Sequence, residues 1–163
     1  MILIGLGANL PSAAGPPQAT LEAALAALVE AGVKVVARSR WYRTAPVPPS
    51  DQPWYVNGVV QVETSLAPGD LLRLLQGIER RFGRARGRRN AARSLDLDLL
   101  DYDGRIEDGP ALVLPHPRLH QRAFVLLPLA EIAPRWRHPR LGQDIASLIA
   151  ALPPEQSAAP IAP

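Results

Sequence analysis

Apolar positions along this chain recur with two periods, and the changes of period divide it into elements. Met1 to Leu6 is an apolar run that predicts a buried first strand, closed by a glycine turn at Gly5-Leu6-Gly7-Ala8-Asn9. Leu21, Ala24, Leu25 and Leu28 follow Pro16 and Pro17 at helical spacing and precede Gly32, predicting a helix over about 18–31. Val33, Val35 and Ala37 then alternate with Lys34, Val36 and Arg38, a second strand reaching about Tyr42. Residues 43–55 hold four prolines and no periodicity, so they read as a loop. Val56 to Thr64 alternates as a third strand. Pro68 opens a second helix whose stripe is Leu71, Leu75, Ile78 and Phe82, ended by Gly83. Leu95, Leu97 and Leu99 alternate with Asp96 and Asp98 in a further strand, which ends at the turn dipeptide Asp103-Gly104. An extended segment runs to Leu112–Leu114, and helices follow over Val125 to Ile132 and about Gln143 to Leu152. The Pro/Ala-rich tail, residues 153–163, is expected to be disordered.

Two β-α-β halves with both helices on one face of an antiparallel sheet make an α+β, ferredoxin-like βαββαβ sandwich. A C-terminal hairpin arm and helices are added, and residues 1–152 are expected to form one domain. That architecture hosts enzymes and RNA-binding modules alike, so it leaves function open.

Composition narrows the choice. With 47% hydrophobic and 20% charged residues the chain is globular in type, and its lack of cysteine excludes disulfides and thiolate chemistry. No apolar run approaches the roughly 20 residues of a membrane span, so a cytoplasmic protein is expected, without membrane partners. Lys34 is the only lysine among 18 basic residues. Arginine bias can follow from a GC-rich genome, which ranks as the larger cause overall, but the seven arginines within residues 80–93 are a cluster that a general bias does not explain.

That cluster feeds the strand of greatest chemical interest. Alternation puts Asp96 and Asp98 on one face and the leucines on the other, with the carboxylates about 7 Å apart at Cα. Such a pair repels itself unless a hard divalent cation joins it, and Mg²⁺ is the first candidate. Acids for a metal beside mobile cations suggest a polyphosphate. Other signals are weaker. Gly5-Leu6-Gly7 is not a dinucleotide fingerprint, since Leu10 stands where a third glycine is required. Trp54, Tyr55 and Asn57 at the loop exit offer a face for a flat heterocycle and a carboxamide to read its edge, or else simply pin the loop. Gln76 and Glu79 together on a helix flank read as solvated surface. His116 and His120 are weak signals singly, and His138 reads as a surface residue.

Taken in order, these residues resemble a known family, the 6-hydroxymethyl-7,8-dihydropterin pyrophosphokinases of folate biosynthesis. The resemblance rests on Gly5-Leu6-Gly7-Ala8-Asn9-Leu10, Tyr42-Arg43-Thr44-Ala45-Pro46, Asp51-Gln52-Pro53-Trp54-Tyr55-Val56-Asn57, Glu79 with Gly83-Arg84, Arg93-Ser94-Leu95-Asp96-Leu97-Asp98, and Pro115-His116 with Arg122-Ala123-Phe124. It implies transfer of pyrophosphate from ATP, the co-substrate, to the pterin hydroxymethyl group, leaving AMP. By the same resemblance Asp96 and Asp98 hold two Mg²⁺ ions, and with Arg84 and Arg93 form the catalytic set. Thr44, Val47, Tyr55, Asn57 and Phe124 fall on the pterin pocket. Gln76, Glu79, Arg84, Arg93, His116 and Arg122 fall on the ATP side, with the arginine loop closing over the phosphates. A monomer with small-molecule substrates and no nucleic-acid partner is expected. The chain departs from the family in three places: Asn90-Ala91-Ala92 where many members have Trp-Gly-Pro, Pro117 where some have tyrosine, and Ala8 where serine is frequent.

The competing reading is a nucleic-acid-binding ferredoxin-like module, favoured by a pI of about 9.9 and the arginine cluster. RNA-binding sheets of this type display aromatics on their central strands, whereas this one displays Asp96 and Asp98.

Overall fold

The computed structural model describes residues 1–46, 48–82 and 94–161. Along the chain run β1 (Ile2–Ala8), α1 (Pro17–Glu30), β2 (Lys34–Arg38), β3 (Tyr42–Thr44), β4 (Tyr55–Glu63), α2 (Pro68–Arg81), β5 (Asp96–Tyr102), β6 (Glu107–Asp108), β7 (Val113–Leu114), α3 (Ala123–Ile132), α4 (Ile145–Ala150) and β8 (Ala158–Pro160). The main sheet is antiparallel. β1 lies between β4 and β5, and β4 pairs along its other edge with β2 and β3. β6 and β7 form a separate short ribbon.

Local chemistry accounts for the helices. Pro17 and Pro68 sit in the first turns of α1 and α2, where the missing N–H costs nothing. Asp70 in the first turn of α2 and Arg80 and Arg81 in its last turn match the helix dipole. Asp144 caps α4 by accepting from the Ser147 amide at 2.8 Å, and that contact holds its carboxyl below the usual range.

Two cores sandwich the sheet. On one face Leu21, Leu25 and Leu28 of α1 and Leu71, Leu75 and Ile78 of α2 bury against Ile4, Leu6, Leu97 and Leu99. On the other, Val125, Leu126 and Leu129 of α3 and Leu148 of α4 bury against Leu3, Val59 and Leu100. Each fully buried leucine contributes about 1.5–3 kcal/mol. The alternation of β5 is as the sequence predicts: Leu95, Leu97 and Leu99 enter the first core, so Asp96 and Asp98 face the other way.

Four expectations are corrected. The strand expected to run to Tyr42 is two strands, because the chain breaks at residues 39–41 to turn Trp41 into the α1-side core. There its Nε1 donates to Glu22 Oε1 at 3.0 Å, and residues 43–44 of the expected loop become β3. Gly5 and Gly7 lie inside β1 rather than in a turn. His138 is 3% exposed, not a surface residue. Its Nδ1 accepts from the amides of Arg140 and Leu141 at 3.2 and 3.0 Å, and its ring packs edge-on against Trp136 and His120. The tail expected to be disordered pairs instead: β8 adds to the free edge of β3, and the Ile161 amide donates to the Trp41 carbonyl at 2.8 Å. Among the described residues no helix is long and apolar enough to cross a membrane.

Gly58 lets Trp41 pack directly on β4. A Cβ at Gly58 would come within 2.6 Å of the Trp41 ring. Gly58→Ala is therefore expected to destabilise the protein by about 1–3 kcal/mol, read as a lowered urea midpoint.

Candidate active site

Directly opposed residues of an antiparallel sheet share a face, so register decides which side chains meet. Here it places Asn57, Gly7 and Asp96 in one cross-strand row and Val59, Gly5 and Asp98 in the next. At about 4.8 Å between strands, the carboxamide of Asn57 and the carboxylate of Asp96 start roughly 10 Å apart at their backbones. Between them the glycines supply no side chain. Their backbone floors a cavity of about 220 Å³ whose walls include Thr44, Tyr55, Asn57, Phe124 and Arg122. A second cavity, of about 250 Å³, is lined by Leu72, Gln76, Glu79 and His116 and shares Asp96, Asp98 and Arg122 with the first. Two chambers thus meet at one acid pair.

In the first chamber Asn57 and Thr44 are both buried, and Asn57 Nδ2 donates to Thr44 Oγ1 at 2.6 Å. That bond fixes the amide's orientation and leaves Asn57 Oδ1 and the Thr44 hydroxyl proton for a ligand edge. Tyr55 enters from the start of β4 and Phe124 from the first turn of α3, so the aromatic walls come from opposite sides of the chain. The Arg122 guanidinium lies 5.2 Å from the Phe124 ring centroid. Asn9, 2% exposed at the end of β1, donates to Gln52 Oε1 at 3.2 Å and to the Pro53 carbonyl at 3.1 Å, holding the 43–55 segment beside the chamber. Its role was not read from the sequence, where only its place after a strand hints at it.

In the second chamber the expectation of a solvated Gln76/Glu79 pair is half corrected. Gln76 is exposed, but Glu79 is 2% exposed and its Oε2 accepts from the Leu97 amide at 2.9 Å. Leu97 stands between the two acids, so Glu79 clamps β5 at the point where Asp96 and Asp98 project. A buried carboxylate bonded to a backbone amide is invisible in a sequence, because nothing local predicts which helix flank meets a strand.

His116 is tied by its amide to the Leu100 carbonyl of β5 at 2.9 Å, and its Nδ1 accepts from the Arg118 amide at 3.2 Å. An accepting Nδ1 places the neutral ring's proton on Nε2. Burial, then repulsion from Arg122, pushes its pKa down to about 4, against the opposing pull of Asp96. Burial likewise lowers Arg122, while Asp98 holds it up. In ligand-free, metal-free protein the His116 imidazole is expected to titrate near pH 4 by NMR. The unfolded chain takes up that proton first, so this histidine costs stability as pH falls from about 6.5 towards 4. A midpoint at or above 6.5 would contradict the burial argument.

Of the residues expected at the site, Thr44, Tyr55, Asn57, Phe124, Gln76, Glu79, Asp96, Asp98, His116 and Arg122 line the two chambers. Val47, Arg84, Arg93 and the departure at Asn90-Ala91-Ala92 lie outside the described residues, as does the rest of the arginine loop. Among the described residues no group of three acids, histidines or cysteines could enclose a metal.

The chain matches the model of the 7,8-dihydro-6-hydroxymethylpterin-pyrophosphokinase (HPPK) family over residues 3–134. It is 45% identical over 148 residues to the 2-amino-4-hydroxy-6-hydroxymethyldihydropteridine pyrophosphokinase of Synechocystis sp., covering 90% of this chain and 73% of that protein. The protein of the same name from Pseudomonas aeruginosa is 43% identical over 153 residues, covering 93% of this chain and 91% of its own. Among solved structures, wild-type Plasmodium falciparum HPPK-DHPS with pteroate superposes with a TM-score of 0.70 at 14% identity, over 91% of this chain and 43% of that one. That structural likeness speaks for the fold, and the sequence matches speak for kinship. With the family model spanning most of the chain and these two relatives 45% and 43% identical over 73% and 91% of their own length, this protein belongs to the HPPK family.

Proposed function

We infer that the protein transfers the pyrophosphoryl group of ATP to the hydroxymethyl oxygen of 6-hydroxymethyl-7,8-dihydropterin, releasing AMP, as a step of folate biosynthesis. The observation that carries this reading is the meeting of two chambers at Asp96 and Asp98, in a chain of this family. One chamber suits a flat heterocycle and the other a polyphosphate.

In this reading Tyr55 and Phe124 flank the pterin ring, while Thr44, Val47 and the Asn57 carboxamide read its edge. Gln76, Glu79, His116 and Arg122 form the ATP side, joined by Arg84 and Arg93. His116, neutral above about pH 4 in the ligand-free protein, presents its Nε2–H to the second chamber as a hydrogen-bond donor. Arg122 reaches both chambers and keeps its charge, so it can neutralise phosphate beside the acceptor hydroxyl. The donor set fits Mg²⁺: two carboxylates without a third protein ligand among the described residues suit a hard cation that takes its other ligands from water and phosphate. Asp96 and Asp98 would hold two such ions, whose chemistry is to neutralise the phosphates and acidify the pterin hydroxyl. Since phosphoryl transfer demands alignment and charge neutralisation above all, no covalent nucleophile is required of the chain. We further read the β5-β1-β4-β2 core as ferredoxin-like, residues 1–152 as one catalytic domain to whose sheet β8 adds, and the protein as a cytoplasmic monomer.

Incubation with ATP, Mg²⁺ and the reduced pterin, followed by nucleotide chromatography, tests the reaction. AMP formed only with pterin present is expected, whereas ADP would mean transfer of a single phosphoryl group. The nucleic-acid reading predicts instead tight, salt-dependent binding of single-stranded RNA and no turnover. The acid pair on the open face disfavours it.

A further inference from the structure

The C-terminal segment reaches the first chamber from both of its sides. Gln156 sets its side-chain amide across the start of α3: Oε1 accepts from the Ala123 amide at 2.8 Å, and Nε2 donates to the Gln121 carbonyl at 2.8 Å. These two bonds bracket Arg122, and Phe124 follows one residue later. Immediately beyond, the Ser157 carbonyl accepts from the Ala45 amide at 3.2 Å, and Ala158 pairs with Thr44 at the head of β8. One short stretch therefore grips the strand that carries Thr44 and the helix start that carries Phe124.

The Arg122 side chain provides no cap for the start of α3, so Gln156 supplies the acceptor that the first N–H of the helix would otherwise lack. Its donor half satisfies the carbonyl that closes the preceding 3₁₀ turn at Leu119–Gln121. The backbone on both sides of Arg122 is thus held by a residue thirty-odd positions away in sequence.

We propose that Gln156 is a positioning residue for the reaction, acting through the start of α3 to set Arg122 and Phe124 against Asp96, Asp98 and Tyr55. This rests on the functional reading above. Because the amide touches backbone and not substrate, its loss changes where two side chains point rather than what they are. A geometric shift of this kind lowers turnover more than it lowers stability.

The test is Gln156→Ala and Gln156→Glu in the full chain, with steady-state AMP formation, the dissociation constant of the pterin and thermal melting measured together. Q156A is expected to lose about tenfold in kcat/KM for the pterin, with a melting temperature lowered by only the few degrees that loss of a helix cap costs. Q156E keeps an acceptor for the Ala123 amide and is expected to fall between the two. A Q156A protein with wild-type kinetics, or one that loses only melting temperature, would overturn the proposal and leave Gln156 a plain helix cap. A Q156E no better than Q156A would also overturn it, since the Ala123 bond would then not be the link. Wild-type protein that forms no AMP would overturn the functional reading itself and this inference with it.

Discussion

Asp96→Ala and Asp98→Ala are each expected to reduce AMP formation by roughly 10³-fold or more while the protein stays folded, the metal's share of charge neutralisation being several kcal/mol. Both carboxylates project from the face of β5 that lines the two chambers, whereas the leucines that hold the strand, Leu95, Leu97 and Leu99, point into the opposite core. Deleting an acid removes a metal ligand without opening the core, and it relieves repulsion between two like charges on neighbouring same-face positions. The variants should therefore match wild type in circular dichroism and melt at a similar temperature. Their defect should also be one of metal use: raising Mg²⁺ should recover part of the activity of a single variant and none of the double. Variants that unfold in parallel with their loss of activity would make the pair a structural feature.

Gly7→Ala should damage the pterin side selectively. A Cβ on Gly7 would overlap Asn57 Oδ1, its partner across the ladder, and Asn57 cannot retreat easily because it is buried and its Nδ2 is bonded to Thr44. The methyl group also rises into the floor of the chamber. Pterin affinity is expected to fall by on the order of 10²-fold through clash and lost edge recognition, with ATP affinity nearly unchanged. Gly5→Ala is the steric comparison: its added carbon also rises from the chamber floor but meets Leu100 at 3.4 Å, at the edge of ordinary contact, and spares Asn57, so a smaller loss of pterin affinity is expected. Calorimetric titration of each ligand into the two variants separates the cases. Equal losses for both ligands in Gly7→Ala would mean that β1 as a whole had shifted.

These two predictions differ in how far the sequence alone would have reached them. The acid pair was legible, because period-2 alternation in a strand with leucines between the acids leaves Asp96 and Asp98 on one face whatever the strand packs against. The glycines were not. Gly5-Leu6-Gly7 has the composition of a turn, and only pairing with β4 and β5 keeps it extended, since a central strand holds glycine wherever its neighbours supply the hydrogen bonds. The loop aromatics lie between these cases: Tyr55 does line the chamber, while Trp54 is exposed under the Arg43 guanidinium.

Contacts remote in sequence account for the remaining differences. Glu79 reads as a solvated flank until α2 docks on β5 and gives its carboxylate an amide to accept from. His138 reads as surface until Trp136 and His120 enclose it, and Trp136 is itself anchored by its Nε1 donating to buried Asp101 at 2.8 Å. Glu131, on α3, draws the Tyr42 hydroxyl and the Arg40 amide and guanidinium onto one carboxylate. Burial of the phenol, and then that carboxylate, push Tyr42 up to about 12.

By itself the sequence determined α1, α2 and most of the strands, the two faces of β5, the kinship and the chemistry of an acid pair beside cations, which depend on local period, residue type and the order of motifs. Tertiary structure alone decided that β1 contributes a bare floor, that Glu79 is withdrawn from water and His116 half-buried, and that Gln156 reaches the start of α3. Register and docking bring residues together across long stretches of chain, and no local pattern records which strand a glycine will face or which amide a buried carboxylate will find.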